Sequence, residues 1–330
     1  MIRRKYFFVL MIAVFTLFIS GCKQNVGTPE DNAVVEEPEQ EDIPEQNRLF
    51  GFSCSDLTNP FNEVLKESVS TALQEQGDRI LVRDAQSDPA VQITQIHEMI
   101  DAGVSAVFLC PADPEEITPA LEALNEAGIP VVNLDVRVAR TDLTESFIGA
   151  DNYNAGKVCG DDLISRLPDG GRLVIVECPD VSSVSERING FEETIRDSGF
   201  EVVKRINTRR DDSVIQGEIS GLLAGESSVD AIMCGDDRMA SEVLSAMNDA
   251  GRSDILVYSV GGSPAVKSAL SAVDSPMTGA GALSPINMGK TAVKSASAIL
   301  ESGVYEPETY VETFFINREN VDMYGTDGWQ

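Results

Sequence analysis

Short apolar segments alternate with longer helical stretches from Leu49 onward, and this alternation constrains the fold more than any other feature of the sequence. The apolar segments lie at 49–54, 80–83, 105–110, 130–134 and 146–149, and the helical stretches at 61–76, 90–101 and 114–127. Each of these helices ends at a glycine, in EQGD, DAGV and EAGI, as is typical of C-terminal capping. Strict alternation of strand and helix predicts right-handed crossovers and a parallel sheet covered on both faces.

The same pattern begins again after residue 170. Strands are predicted at 172–177, 201–205, 230–234 and 255–260, with helices near 184–198, 212–224 and 237–250. A single large doubly wound domain is one interpretation, but two series of about 100 residues each are more typical of two domains. The predicted fold class is therefore α/β, with two Rossmann-like lobes whose parallel sheets are flanked by helices. A further amphipathic helix in GALSPINMGKTAVKSASAILESG and a closing strand in YVETFFINRENV predict extra crossings between the domains.

The first 47 residues have a different composition. Three basic residues at 3–5 precede an apolar run at 6–19 that ends in ISGC at 19–22, a pattern typical of an export signal. This run is short for a membrane span. ISGC resembles a bacterial lipobox, which implies cleavage of residues 1–21 and lipid attachment at Cys22, although a buried thiol is the alternative. TPEDNAVVEEPEQEDIPEQN then carries eight acidic residues, no basic residue and three prolines, so residues 22–47 are predicted to be a disordered tether rather than an acidic recognition tail.

Charge and cysteine spacing exclude several classes of partner. The net charge of −29 argues against nucleic acid, because phosphate binding needs clustered lysine and arginine. The single His97 and the absence of paired CxxC motifs leave no zinc-binding set, and no metal is predicted. The cysteines after the lipobox are predicted to be buried free thiols, with disulfides left open. They are Cys54, Cys110, Cys159, Cys178 and Cys234.

The turns after the predicted strands lack the motifs of cofactor binding and catalysis. CSDLTNP after the first strand and CPDVSSVSERING after the sixth lack the glycines of a dinucleotide-binding turn. The GKT triplet at 289–291 has Ser284 where a phosphate loop needs glycine, and it lies within a helical pattern. His97 lies in the middle of a predicted helix, so no serine or cysteine nucleophile has a histidine partner. We predict no catalytic residue, no enzyme activity and no cofactor.

Polar side chains cluster instead after the carboxyl ends of the strands, where open α/β sheets bind ligands. The candidate ligand-binding residues are Ser55, Asn59, Phe61, Asn62, Asp135, Arg137, Ser183, Arg187, Arg210 and Asp236. Each alone could be a helix cap or a surface group, and Asn59 before Pro60 fits an N-cap. A cleft between two lobes would gather them around one small molecule. Carboxylates, amides and guanidinium groups suit a hydroxyl-bearing ligand, and a phenylalanine suits the C–H face of its ring.

At these residues the chain resembles the periplasmic sugar-binding proteins of the ribose- and galactose-binding type. The resemblance runs from about Leu49 to Val321 and rests on blocks that occur in order, among them TNPFNEVLKESV, AGIPVVNLDVR, FIGADNYNAGKVCGDDL, SERINGFEETI, AIMCGDDRMASEVLSAM and SPINMGKTAV. It implies two lobes that close on a three-strand hinge, with crossings near 150–151, 283–284 and 312–313. The implied lobes are 48–150 with 284–312, and 151–283 with 313–330.

The resemblance also implies partners and a location. The protein would act outside the cytoplasm as a monomer, would be attached to the membrane only through its lipid, and would deliver its ligand to the membrane subunits of an ATP-binding-cassette importer. Presentation of the same ligand to a chemoreceptor or a sensor kinase is the alternative. A transcriptional repressor with these lobes is excluded, because the export signal occupies the place of its DNA-binding helices.

The family's ligand positions correspond to Asn59, Phe61, Asp135, Arg187 and Asp236, with departures at other positions. Gly261 stands where the family usually has an aspartate, and Leu283 where it usually has glutamine or asparagine. Arg210 stands where the family has a second aromatic wall. We therefore expect a modified sugar or polyol derivative with an anionic or less hydroxylated end facing Arg187 and Arg210, although Arg210 could equally point to solvent.

Overall fold

The computed structural model describes residues 47–209, 211–225 and 228–330. These described residues belong to one compact unit. The predicted signal, the lipidation of Cys22, nearly all of the predicted tether and the placement of Arg210 lie outside the described residues.

Within the described residues the chain forms twelve strands and nine α-helices. The strands are β1 (Leu49–Cys54), β2 (Arg79–Asp84), β3 (Val107–Leu109), β4 (Val131–Leu134), β5 (Ser146–Ala150), β6 (Gly171–Glu177), β7 (Phe200–Asn207), β8 (Ala231–Cys234), β9 (Leu256–Gly261), β10 (Met277–Ala282), β11 (Glu308–Val311) and β12 (Phe314–Asn317). The helices are α1 (Pro60–Glu75), α2 (Pro89–Asp101), α3 (Thr118–Glu126), α4 (Asn152–Arg166), α5 (Ser182–Ile195), α6 (Val214–Leu223), α7 (Asp237–Asp249), α8 (Pro264–Ser271) and α9 (Pro285–Glu301).

The strands of the described residues form two six-stranded sheets. The first has the order β11-β5-β4-β3-β1-β2 with every pair parallel, and the second has the order β12-β10-β9-β8-β6-β7 with only β12 antiparallel. The chain leaves the first sheet after β5, returns through α9 and β11, and then reaches the second sheet again at β12. This arrangement confirms the predicted α/β class with two lobes, each a sheet flanked by helices.

The glycines that were predicted to end helices do so. Gly77, Gly103 and Gly128 all have φ between +68° and +77°, a backbone region that residues with a Cβ rarely adopt. These glycines end the helices and so determine their lengths, which in turn fixes where each following strand begins.

The segment YVETFFINRENV was predicted as one strand, and that prediction is wrong. It forms β11, which is parallel to β5 in the first sheet, and β12, which is antiparallel to β10 in the second. The two strands are separated at Thr313, whose hydroxyl donates to the Asp151 carbonyl at 3.1 Å and accepts from Asn154 Nδ2 at 3.0 Å. These bonds join the first and third crossings between the sheets.

All five cysteines in the described part of the chain are free and buried, which confirms the predicted thiols. Cys54 ends β1 and Cys110 follows the neighbouring strand β3, and the nearby Cys54 side chain together with burial raises the pKa of the Cys110 thiol. Among the described residues no group of acidic, cysteine and histidine side chains is arranged to hold a metal ion. No helix in this part of the chain has the length and apolar character needed to cross a membrane.

Candidate functional site

A cavity of about 520 Å³ lies between the carboxyl ends of the two sheets. Its size falls within the range of small-molecule sites, roughly 300–1,000 Å³. Of the predicted residues, the cavity is lined by Ser55, Asn59, Phe61, Asn62, Asp135, Ser183, Arg187 and Asp236. The structure thus brings together residues from the ends of β1, β4, β6 and β8, and their role in binding is proposed below.

The turn after β1 is held by its own side chains. Asn59 caps α1, because its Oδ1 accepts from the backbone N–H of Phe61 at 3.0 Å, and Pro60 occupies the first helical turn. The buried Asn62 donates from Nδ2 to the Asp56 carbonyl at 2.8 Å and to Ser55 Oγ at 3.3 Å. These bonds fix where α1 begins, and they place the ring of Phe61 in the cavity wall.

Asp135 lines the cavity and carries an acceptor that is not paired within the described residues. It follows β4 with a φ of +61°, a strained conformation for a residue with a side chain. Its buried Oδ1 has no hydrogen-bond partner among the described residues. Burial raises the pKa of the Asp135 carboxyl, and the nearby positive charge of Arg187 offsets part of that rise. Strain and an unsatisfied buried oxygen in one residue are typical of a functional position.

Arg187 approaches the same cavity from the second lobe, on α5. It is buried, and it donates from Nε to Asn152 Oδ1 at 2.8 Å and from Nη1 to the Gly235 carbonyl at 3.1 Å. These bonds hold the guanidinium plane in one orientation, so its remaining N–H groups form a fixed set of donors.

Two glycines allow the helix that carries Arg187 to touch its neighbour. A Cβ on Gly156 of α4 would lie 1.8 Å from the carbonyl oxygen of Arg187, and one on Gly190 of α5 would lie 2.0 Å from the carbonyl oxygen of Tyr153. The backbones of α4 and α5 are therefore in direct contact at these positions. This close approach brings Asn152 within hydrogen-bonding distance of Arg187.

A group of acidic side chains lines the cavity at the start of α7. Asp236 caps this helix by accepting from the Met239 N–H at 2.9 Å, and Arg238 lies 3.9 Å from Asp236 Oδ2 and 3.7 Å from Asp212 Oδ2. Asp237 was missed by the sequence reasoning, although the CGDD motif contains it. Burial raises the pKa of Asp237, and hydrogen bonds from the Ser263 N–H at 2.6 Å and Ser259 Oγ at 2.7 Å offset part of that rise.

Arg137 does not line this cavity, so the expectation that it would do so is corrected. Its Nη1 donates to Glu308 Oε1 at 2.7 Å and its Nη2 donates to the Tyr310 hydroxyl at 2.7 Å. Its guanidinium carbon also lies 4.1 Å from the centre of the Phe147 ring. The reason is the pairing of β11 with β5, which places two partners from a distant part of the chain beside Arg137.

Sequence reasoning also missed Trp329, the single tryptophan of the chain. Its ring lines the cavity and meets the Phe61 ring edge-on, with centroids 5.6 Å apart and planes at 79°. Its position near the end of the sequence gave no periodicity that could have located it. The one available signal was that a large aromatic residue lies in a short polar segment.

The charges of the described cavity lining are mostly negative. The lining includes Asp135, Asp212, Asp236 and Asp237, with Arg187 and Arg238 as its cations. Both arginines lie close to carboxylates, so neither presents an unmatched positive charge. Hydrogen-bond acceptors, fixed guanidinium donors and an aromatic wall suit a neutral molecule that carries hydroxyl groups.

Comparison with known proteins agrees with this geometry. The model of the periplasmic binding protein domain matches residues 50–303. The ribose import binding protein RbsB of Bacillus subtilis is 31% identical over 253 residues, which is 76% of this chain and 81% of that protein. RbsB of Escherichia coli K12 is 26% identical over 248 residues, which is 75% of this chain and 83% of that protein. The chain therefore belongs to the periplasmic sugar-binding protein family, which confirms the resemblance of its motifs.

Solved structures show the same fold. A solute binding protein of an ABC transporter from Bacillus halodurans, with bound myo-inositol, aligns with a TM-score of 0.77 at 21% identity, covering 85% of this chain and 98% of that one. The fructose binding periplasmic domain of a hybrid two component system aligns with a TM-score of 0.73 at 23% identity, covering 84% of this chain and 92% of that one. At these identities the likeness establishes the fold alone.

Proposed function

We propose that this protein is an extracytoplasmic solute-binding lipoprotein that captures a neutral sugar or polyol in its cleft and delivers it to an ABC importer. The observation that carries the proposal is the pairing of Asp135 from one lobe with Arg187 from the other across a single cavity. A ligand that bonds to both residues would hold the lobes together, as hinge closure requires. The proposed lobes are 48–150 with 284–312 and 151–283 with 313–330, a division that the strand order supports.

The sequence led us to expect a ligand with an anionic or less hydroxylated end, and the charge of the described lining favours a neutral ligand over an anionic one. Arg187 is already bonded to Asn152 and Gly235 and faces Asp135. An anionic group would also approach the carboxylates of Asp212 and Asp236, whose repulsion disfavours binding. A hydroxyl group can instead donate to a carboxylate and accept from the guanidinium at the same time.

Binding without catalysis fits the residues in the cavity. His97 lies exposed on α2 and is not among the lining residues. The described lining therefore offers carboxylates and arginines but no histidine that could activate a nucleophile. The relatives reported above are named as binding proteins, which supports the same conclusion.

Delivery to an importer is favoured over signalling by the names of the relatives, which are import binding proteins. The fold alone does not separate the two roles, since a two-component periplasmic domain shares it. Deletion of the protein should abolish uptake of its sugar if the proposal is correct. Normal uptake with a lost transcriptional or chemotactic response to that sugar would favour the sensory alternative.

The proposed anchor is a lipid on Cys22, and its support is the ISGC motif after an apolar run. A Cys22→Ser variant should move the protein from the membrane fraction to the soluble fraction, because lipid attachment needs the thiol. Retention of the variant in the membrane fraction would contradict the anchor without affecting the proposed ligand.

Thermal unfolding of residues 43–330 against a panel of sugars tests the ligand class. The described residues within this range belong to one compact unit. A compound present at about 100 times its dissociation constant adds about 2.7 kcal/mol to the free energy of unfolding. We expect stabilisation by one or more neutral pentoses, hexoses or cyclitols. Stabilisation by phosphorylated or acidic sugars alone would contradict the neutral ligand.

A further inference from the structure

Residues 318–330, which we call the C-terminal tail, lie beyond the part of the chain that matches the family model. The tail nevertheless supplies a wall of the cavity through Trp329. Contacts at both ends of the tail hold it in place.

The beginning of the tail is fixed to α8. Arg318 donates to the carbonyls of Leu270, Ala272, Val273 and Ser275, at distances of 2.8–3.2 Å, and so caps the end of this helix. Lys267 of α8 is completely buried and donates from Nζ to the Tyr324 carbonyl at 3.3 Å. The Tyr324 ring stacks on that of Phe314, with centroids 4.9 Å apart. A buried ammonium group needs a hydrogen-bond partner, and the tail supplies one for Lys267, so the tail is part of the folded lobe.

The end of the tail is fixed to the second crossing between the sheets. Gln330 donates from Nε2 to the Leu283 carbonyl at 2.6 Å, and Ser284 Oγ donates to the Gln330 carbonyl at 2.5 Å. Trp329 lies between these bonds and the Phe61 ring. The contacts at the beginning and at the end of the tail together fix the position of the indole.

Glycine at 262 makes room for this arrangement. A Cβ on Gly262 would lie 2.7 Å from Gln330 Nε2, and its φ of +84° is itself unfavourable for other residues. Gly261 and Leu283 stand where polar side chains were expected from the family resemblance. They contribute no polar side chain to this side of the cavity, where Trp329 and the carboxylate of Asp237 beside Gly261 lie instead. The Leu283 carbonyl is already occupied by Gln330, so it has one fewer lone pair to offer a ligand.

We infer that Trp329 contacts the bound ligand, and that with Phe61 it forms the aromatic wall on which the C–H face of a cyclic sugar or cyclitol stacks. This inference rests on the proposed function. The hydroxyl groups of the ligand then point toward Asp135 and Arg187, on the polar side of the cavity. The tail thus adds a second aromatic ring to the wall that Phe61 begins, whereas the usual position of a second aromatic residue in the sequence holds Arg210.

The position of the indole is tested first, without any ligand. Because Trp329 is the only tryptophan, the emission of the protein reports on it alone. We expect Phe61→Ala to shift the emission to longer wavelength and to increase quenching by acrylamide. Val304→Ala, at a residue that is 79% exposed, should change neither. Equal quenching of wild type and Phe61→Ala would contradict the packing of the Trp329 ring against Phe61.

Contact with ligand is tested by titrating D-ribose, D-allose and myo-inositol into wild type, Trp329→Ala and Trp329→Phe, with thermal unfolding as a second readout. We expect saturable changes in wild-type emission, a loss of affinity of about threefold to tenfold in Trp329→Ala, as stacking energies indicate, and near-normal affinity in Trp329→Phe. Comparable melting temperatures of the unliganded variants would show that the fold is intact. Normal affinity of Trp329→Ala would overturn the inference. If none of the three compounds stabilises wild type, the titrations use the neutral compound of the thermal panel that stabilises the protein most. If no neutral compound of the panel does so, the proposed function fails, and acrylamide quenching alone decides whether the aromatic wall exists.

Discussion

The Nε of Arg187 donates to Oδ1 of Asn152 at 2.8 Å, although the two residues lie on different helices. The bond exists because α4 and α5 touch through their backbones at Gly156 and Gly190. Arg187 is thus positioned by the packing of two helices before any ligand arrives. A donor that is fixed in advance loses less entropy when it binds.

Gly190→Ala should destabilise the protein and weaken sugar binding, because its Cβ would lie 2.0 Å from the Tyr153 carbonyl oxygen and would push α5 away from α4. Overpacking of this kind costs about 1–3 kcal/mol. Chemical denaturation and calorimetric titration with the best sugar of the panel measure the two effects.

Gly221→Ala in α6 is the matched control. A Cβ at Gly221 meets no atom within 4 Å, so the usual advantage of alanine over glycine in a helix, about 0.5–1 kcal/mol, should appear as unchanged or increased stability. If the variants at 190 and 221 behaved alike, the argument that close helix packing positions Arg187 would be wrong.

Arg187→Lys should weaken sugar binding about tenfold or more, because hydrogen bonds to charged groups contribute about 1.5–3 kcal/mol and lysine lacks the planar fork. Arg196→Lys, on a side chain that is 65% exposed at the end of α5, is the control and should bind normally. Equal affinity of the two variants for the sugar would contradict a role of Arg187 in binding.

Asp135→Asn should make the unliganded protein more stable at neutral pH while weakening sugar binding. Burial raises the pKa of Asp135 above its ordinary value of 3.8, so its ionisation costs more in the folded state than in the unfolded chain. Its contribution to stability is complete below pH 3.8 and is lost as the pH rises through the higher folded pKa. Asparagine does not titrate, and it tolerates the positive φ at this position.

Urea unfolding of wild type and Asp135→Asn at a series of pH values from neutral to about pH 4 measures this effect. In the unfolded chain the Asp135 carboxyl has the ordinary aspartate pKa of about 3.9. The advantage of the variant should shrink as the pH falls, because wild-type Asp135 becomes protonated. A constant difference across the series would contradict a raised pKa. The affinity of wild type for its sugar should also fall toward acid pH.

Gly262→Ala should displace the Gln330 side-chain amide from the Leu283 carbonyl and so loosen the end of the C-terminal tail, because its Cβ would lie 2.7 Å from Gln330 Nε2. Gly303→Ala imposes a similar backbone strain, with φ at +65°, but meets no atom within 4 Å. Both variants should lose stability, by about 1–2 kcal/mol for the strain alone. Only Gly262→Ala should shift the Trp329 emission. A shift of the emission in both variants would contradict a specific role of Gly262 in positioning the tail.

The parts of the molecule that follow local rules were predictable from the sequence. Glycine stops such as Gly77 and polar residues after strand ends, such as Asp135, depend on neighbours in the chain and on the general geometry of parallel sheets. Strand β10 was not predicted, because its sequence MTGAGA lacks large side chains. Its glycines instead make room for other elements, since a Cβ on Gly281 would lie 2.2 Å from the Ala155 carbonyl oxygen.

Features that depend on distant parts of the chain could not be predicted. Arg137 was expected in the cleft on the basis of its position after β4, but Glu308 arrives beside it through a strand more than 150 residues away in the sequence. Trp329 reaches Phe61 only because α8 and the second crossing hold the tail. Neither contact can be recognised in the sequence, because no motif and no periodic pattern of residues accompanies it.

Calorimetric titration of residues 43–330 with a neutral sugar and its phosphorylated counterpart, such as D-ribose and D-ribose 5-phosphate, tests the central claim most directly. The claim is that one neutral hydroxylated molecule binds between Asp135 and Arg187. If D-ribose proves inactive in the thermal panel, the same pair is made from the neutral compound that stabilises the protein most. We expect saturable binding of the neutral compound at one site, at least about tenfold tighter than the phosphorylated one, because an added phosphate meets the carboxylates of the lining. Tighter binding of the phosphorylated compound, or no binding by any neutral member of the panel, would contradict the account.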